Sequence, residues 1–294
     1  KLNVTPSNAL TVDATDVSKK YDGTAYGVTA SASVPTGTTI RYSETFSTNP
    51  ADYTLTTSPT ATDATEGTTV YFVVTNPNYN PVFGSAVITI DKRVISLTTA
   101  DDSKMYDGDA LTNPAWSYDT TGNDGFVEGQ GFATAAADGS ITDVGSADNT
   151  FAYTLTPATN AANYTIDVTK GTLTITASDA LTVSAADVTR KYDGSAYGVT
   201  ASANEPDGTV IRYALTNSTN PANFTLETSP TATHVGESKT VYFVATNPNY
   251  APAFGSAEIT ITPRQITLTA ASETRTYNGN ALTNANVEIT GDSF

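Results

Sequence analysis

The sequence predicts an all-β chain: tandem small antiparallel β-sandwich modules of the Ig-like kind, set in an elongated array. Three observations lead there. Runs of β-branched and aromatic residues alternate with turn residues at short spacing. No long stretch carries an apolar period of 3.6 residues, the mark of a packed helix. The chain also restates itself at a fixed interval, as tandem repeats do.

The repeat comes first because it sets the boundaries. Lys20-Tyr21-Asp22-Gly23 returns as Lys191-Tyr192-Asp193-Gly194, an offset of 192 − 21 = 171 residues. Ile40-Arg41-Tyr42 returns as Ile211-Arg212-Tyr213, and Asn76-Pro77-Asn78-Tyr79 as Asn247-Pro248-Asn249-Tyr250. The material between also repeats: Met105-Tyr106-Asp107-Gly108 matches Thr276-Tyr277-Asn278-Gly279. One period therefore holds two related modules, A and B. Residues 7–91 form module A1, 92–177 module B1, 178–262 module A2, and 263–294 a truncated module B2. Residues 1–6 read as the closing strand of a preceding B module, since Leu2-Asn3-Val4-Thr5 matches Leu173-Thr174-Ile175-Thr176. The chain reads as an internal piece of a longer array. Truncation of B2 is expected to leave Ile266 and Leu268 open to water.

Within module A, strands are expected at 25–32, 39–42, 53–57, 69–75 and 86–90. Asp22-Gly23, Pro35-Thr36-Gly37, Asn49-Pro50, Glu66-Gly67 and Asn76-Pro77-Asn78 supply the turns. A short helical turn fits near Asn49. The two copies reveal the buried face. Val87 becomes Glu258, so that position faces water, whereas Ala86, Ile88 and Ile90 persist as Ala257, Ile259 and Ile261. That alternation is the period of two of a half-buried strand. A β-grasp module is the alternative and requires a real helix. The linkers at Asp91-Lys92 and Ala177-Ser178-Asp179 are too short and too ordinary to be flexible tethers.

Composition narrows the function classes. The net charge is 14 − 30 = −16, with no basic run, so nucleic acid is excluded as a partner. With no cysteine, disulfides, thiolate chemistry and Cys-based zinc sites are excluded. No apolar run is long enough to span a membrane as a helix. No metal, cofactor or enzymatic activity is expected, and no catalytic, cofactor-binding or metal-binding residue is assigned.

The tempting motifs have plain readings. Asp22, Asp107 and Asp193 of the Tyr-Asp-Gly motif could be acids or metal ligands. The fourth copy has Asn278 there, which carries no proton but forms the same turn. Asp101-Asp102, Asp107 with Asp109, and Asp124 with Glu128 are acidic clusters without the ligand spacing of a calcium loop. Lys20 and Lys191, with Asn76 and Asn247, are the candidates for an intramolecular isopeptide bond; in module B, Lys104 aligns with Arg275, which cannot form one. His234 stands where the first copy has Asp63, and Trp116 aligns with Val287, so neither offers chemistry shared by the repeat. The Asn-Xaa-Ser/Thr triplets at Asn3, Asn163, Asn217 and Asn223 are expected in so Thr- and Asn-rich a chain.

Module B resembles the MBG/YDG-type repeat of bacterial surface proteins. The resemblance rests on Lys104-Met105-Tyr106-Asp107-Gly108, on Asn160-Ala161-Ala162-Asn163-Tyr164-Thr165, and on Gly171-Thr172-Leu173-Thr174-Ile175-Thr176. Module A looks like a relative of it, with Thr75-Asn76-Pro77-Asn78-Tyr79 and Gly84-Ser85-Ala86 in the equivalent places. The resemblance implies a secreted or cell-surface bacterial protein, and brings no catalytic residues. The expected function is that of stalk or spacer repeats of an adhesin, projecting a binding domain as a monomeric rod. The alternatives are adhesive modules that bind extracellular glycan or host and matrix protein by avidity, and accessory modules of a secreted carbohydrate-active enzyme.

Overall fold

The computed structural model describes residues 2–292. Nearly all its regular structure is strand, and its helices, among the described residues, are three short 3-10 turns. The first of these, Pro50–Asp52, starts from an Asn49 cap whose side chain accepts from Ala51 N–H, with Pro at the first helical position. Among the described residues no helix is long enough for a β-grasp module, and the sandwich reading stands.

In module A1 a four-stranded sheet runs in the order Val17–Lys20, Tyr79–Asp91, Thr65–Asn76, Thr39–Ser43. The long central hairpin turns at Asn76-Pro77-Asn78 and pairs Phe72 with Gly84. Two short ladders cover one face: Val12–Ala14 with Ala30–Ala32, and Tyr26–Gly27 with Thr60–Ala61. The side chains between these layers, including Val28, Tyr42, Val70, Phe72, Ala86, Ile88 and Ile90, are buried. Module A2 buries their equivalents, among them Val199, Tyr213, Val241, Phe243, Ala257, Ile259 and Ile261. Glu258 lies exposed between two of them, as the alternation requires.

Three expectations are corrected. Pairing is mixed, not purely antiparallel: Val17–Lys20 lies parallel to Tyr79–Asp91, and Val188–Lys191 parallel to Tyr250–Thr262. Val17–Lys20, the second strand of its module, lies at the sheet edge beside the last one, so the chain between them serves as the crossover that a parallel pair needs. Residues 25–32 are not one strand. The chain breaks at Val28, whose N–H turns away to Ser58 Oγ at 2.9 Å, and the two halves join different ladders. Residues 53–57 form only a single bridge, Tyr42 to Leu55. Tyr53 packs against the sheet instead, buried against Phe83, while Leu55 stays exposed.

Module B1 places Arg93–Thr99 at the centre of one sheet. Trp116–Tyr118 pairs antiparallel on one side and Tyr164–Thr169 parallel on the other. Gly171–Thr176 is the middle strand of a second sheet, between Asp102–Met105 and Gly145–Asn149. Ile95, Leu97, Leu173 and Ile175 are buried. In B2 the strands Ile266–Ala270 and Val287–Gly291 pair with each other. Leu268 there is 64% exposed, as truncation of the module leads one to expect.

The chain divides into two compact units. The first runs to Asp102 and includes Leu111–Ile141 and Ser146–Leu173. The second holds Ser103–Ala110, Thr142–Gly145 and the chain from Thr174 onward. Module A1 and most of B1 thus belong to one unit, and three short segments of B1 belong to the other with A2.

Candidate functional site: the joints between modules

The Tyr-Asp-Gly motif builds the same turn in every copy. Gly23, Gly108, Gly194 and Gly279 all have positive φ, between 80° and 87°. The residue before each glycine accepts the backbone N–H two positions on: Asp22 from Thr24, Asp107 from Asp109, Asp193 from Ser195 and Asn278 from Asn280. An amide oxygen serves as well as a carboxylate in this Asx turn, which is why Asn278 is tolerated. In module A the second carboxylate oxygen is also used, by Tyr26 on Asp22 and by Tyr197 on Asp193, both at 2.5 Å. The Tyr26 hydroxyl and the Thr24 amide hold the Asp22 carboxyl below the ordinary range, and the same bond pushes the Tyr26 phenol up.

The tyrosine of the motif has another destination. Tyr21 is buried and meets Tyr164 of B1 edge to face, 5.6 Å between ring centroids. Gln130 links the two phenols, donating to Tyr21 at 2.9 Å and accepting from Tyr164 at 2.6 Å. Beside them Asn163 is fully buried. It donates to Asp63 Oδ1 at 2.8 Å and accepts the N–H of Ala64 at 2.7 Å. Ile95 and Tyr164 of B1 join the hydrophobic cluster of A1, so the two modules share one core.

Arg93 and Asp124 close the other side of this joint. The Arg93 guanidinium donates to the carbonyls of Tyr21, Asp124 and Gly125. Asp124 accepts from Lys20 Nζ at 2.6 Å and from Val94 N–H at 2.8 Å. Lys20, followed by that Val94 amide, holds the Asp124 carboxyl below its ordinary value. The A2–B2 joint repeats the set. Lys191 pairs with Asp292 at 2.7 Å, Gln265 N–H donates to Asp292, and Arg264 donates to the Tyr192 carbonyl. The Lys20–Asp124 pair is half exposed and adds about 0–1 kcal/mol at most.

A second joint, within the second compact unit, joins segments of B1 to A2 by the same chemistry. Asn249 donates to Asp143 Oδ1 at 2.9 Å and accepts the N–H of Val144 at 2.9 Å. Tyr250, the next residue, meets Tyr106 of the B1 Tyr-Asp-Gly motif edge to face at 5.3 Å. Each joint therefore seats an Asn-Tyr pair of the later module, Asn163-Tyr164 or Asn249-Tyr250. Each cradle on the earlier module combines the motif tyrosine with a Thr-Asp-Xaa loop, Thr62-Asp63-Ala64 or Thr142-Asp143-Val144. The corresponding loop of A2 reads Thr233-His234-Val235, and there His234 stacks on Tyr192 at 5.8 Å.

Sequence reasoning missed this clasp although both halves were in view. Asn163 stood out only as part of a terminal motif and a chance glycosylation triplet, which its burial makes unusable. Asp63 was weighed only against His234. The signal was the Thr-Asp-Xaa sequence common to A1 and B1. The remaining singled-out residues lie apart. Asn76 spends its amide on Thr36 O and Thr38 Oγ1, away from Lys20, and Asn247 does the same with Asp207 O and Thr209 Oγ1. Lys104 pairs with Asp107. Asp101 accepts from Thr172 N–H. Among the described residues no group of three or more His, Asp or Glu side chains is placed to hold a metal ion. Trp116 is half buried in an aromatic cluster with Tyr118, Phe132 and Phe151.

No protein-family model matches the chain, and no curated protein matches it. Solved structures with some likeness include arrays of extracellular domains. The Sidekick-1 immunoglobulin domains 1–5 are 12% identical over 92% of this chain, with a TM-score of 0.23, and the chain spans 60% of their length. Protocadherin Gamma B7 cadherin domains 1–4 are 10% identical over 90% of this chain and 79% of theirs, at a TM-score of 0.31. Mouse Cadherin-23 EC22–24 is 12% identical over 87% of this chain and 100% of its own, at 0.28. Likenesses this faint have no bearing on what the chain does.

Proposed function

We propose that the chain is a run of spacer modules of a bacterial cell-surface adhesin, of the MBG/YDG-type, and that it holds a binding domain away from the cell. The observation that carries this reading is the recurrence of one clasp at two joints of different composition, A to B and B to A. The A1–B1 and B1–A2 joints share the hardware that sets one module on the next, while His234 and Trp116, the side chains suited to chemistry or ligand stacking, each occur in one copy only. A spacer needs defined joints and no pocket. The absence of cysteine makes the test direct. Spin labels at Glu44→Cys and Ser117→Cys, both exposed, report the A1–B1 distance in the full chain. A single narrow distribution that broadens with Asn163→Ala is expected, together with no binding on a glycan array or to matrix proteins. A broad distribution in the otherwise native chain, or reproducible ligand binding, overturns the reading.

One observation favours a second reading, an adhesive module that stacks glycan on aromatic rings. Tyr118 is 44% and Tyr153 41% exposed beside Trp116 and Phe132. Binding on the same array that disappears with Trp116→Ala would establish it.

A further inference from the structure

We propose that Asn78 and Tyr79 of module A1 are a preformed docking surface for a B-type module, which would seat them with its Tyr-Asp-Gly tyrosine and its Thr-Asp-Xaa loop. The proposal rests on the spacer reading and names the partner of one of its faces.

Asn249 and Tyr250 stand 171 positions on, at the equivalent places of A2. Those two are seated by Asp143, Val144 and Tyr106 of B1. Their backbone is fixed within A2 itself. Asn249 N–H donates to Asn247 Oδ1 at 3.0 Å, Ser178 N–H donates to the Asn249 carbonyl at 3.1 Å, and Ala251 N–H donates to the Ser178 carbonyl at 2.9 Å. A1 reproduces each bond. Asn78 N–H donates to Asn76 Oδ1 at 3.0 Å, Ser7 N–H to the Asn78 carbonyl at 2.9 Å, and Asn80 N–H to the Ser7 carbonyl at 3.0 Å. The shape of the surface is therefore built without its partner.

What differs is occupancy. Asn78 is exposed, and among the described residues its side-chain amide has no hydrogen-bond partner, whereas Asn249 uses both ends of its amide. A primary amide on a backbone fixed in place, with its donor and acceptor both free, fits an Asp carboxylate next to a backbone N–H, which is what the loop Asp143-Val144 offers.

Two comparisons test the proposal by hydrogen exchange. In the full chain, Asn249→Ala should speed exchange at the Val144 amide by tenfold or more, while Asn78→Ala should leave exchange unchanged outside its own turn. Next, residues 92–176 are joined ahead of Pro6, so that an added B module leads into A1. The Val144 amide of the added copy should then exchange as slowly as the native one, and Asn78→Ala should abolish that protection. Folding of Asn78→Ala is checked in the unextended chain, where it should match the parent. An added Val144 amide that exchanges freely, or stays protected despite Asn78→Ala, overturns the docking surface. So does a native Val144 amide indifferent to Asn249→Ala. Glycan binding by the unextended chain would sink the spacer reading alone and leave these exchange results standing.

Discussion

Asn163 of module B1 reaches across 100 residues of sequence to donate its side-chain amide to Asp63 of module A1, at 2.8 Å. It is fully buried there, and its carbonyl oxygen takes the Ala64 N–H. A neutral amide suits this place because it offers one donor to a carboxylate and one acceptor to an amide at once.

Replacing Asn163 by Ala should leave the half-buried Ala64 N–H without its partner, while the exposed Asp63 turns to water, and cost about 1–3 kcal/mol. Asn163→Asp should cost more, since it sets two carboxylates against each other. Urea denaturation measures both. Faster exchange at the Ala64 amide should accompany each loss.

The pH dependence of the same joint follows from Asp124. Its carboxyl is held low by Lys20 and the Val94 amide. The folded state therefore binds its proton less readily than the unfolded chain does. Its contribution is present in full above the ordinary carboxylate value and fades as pH falls through the lowered one. Asp124→Asn should flatten the fall in denaturation midpoint on acidification, without changing its slope near neutral pH.

The Tyr-Asp-Gly turn should respond unequally to its two residues. Asp22→Asn keeps the acceptor for Thr24 N–H and loses only the carboxylate oxygen facing Tyr26. The loss should be small and well short of that at Gly23, and the Tyr26 phenol should titrate lower than in the parent. Gly23 has φ +82°, so Gly23→Val should cost about 1–3 kcal/mol. Equal tolerance of both, read by thermal melting, would contradict the turn.

Gly84 and Gly255 are each the cross-strand partner of a core phenylalanine, Phe72 and Phe243. The ring lies over the glycine, where a Cβ would stand. Gly84→Ala should force that ring from its buried position and cost about 1–3 kcal/mol. Relief by the paired change Phe72→Leu, measured in a double-mutant cycle, should recover part of the loss.

Much of this architecture was determined by the sequence alone. The repeat set the correspondence between copies. The retained Ala86, Ile88 and Ile90 against the variable Val87 marked the buried face, and Asp-Gly, or Asn-Gly in the fourth copy, marked a turn that all four copies form. These features are local, written in spacing of two residues or in the φ of a single glycine. Only the tertiary structure decided the rest. The parallel pairing of Val17–Lys20 with Tyr79–Asp91 depends on where a whole module returns the chain. The break at Val28 depends on a serine thirty residues away. The clasp was invisible for a related reason. Aligning the modules compares like with like, Asn163 with Asn78 and Asp63 with His234, whereas the joint pairs unlike segments of successive modules. Which residues resemble each other is written along the chain; which residues touch is settled only when both surfaces exist in space.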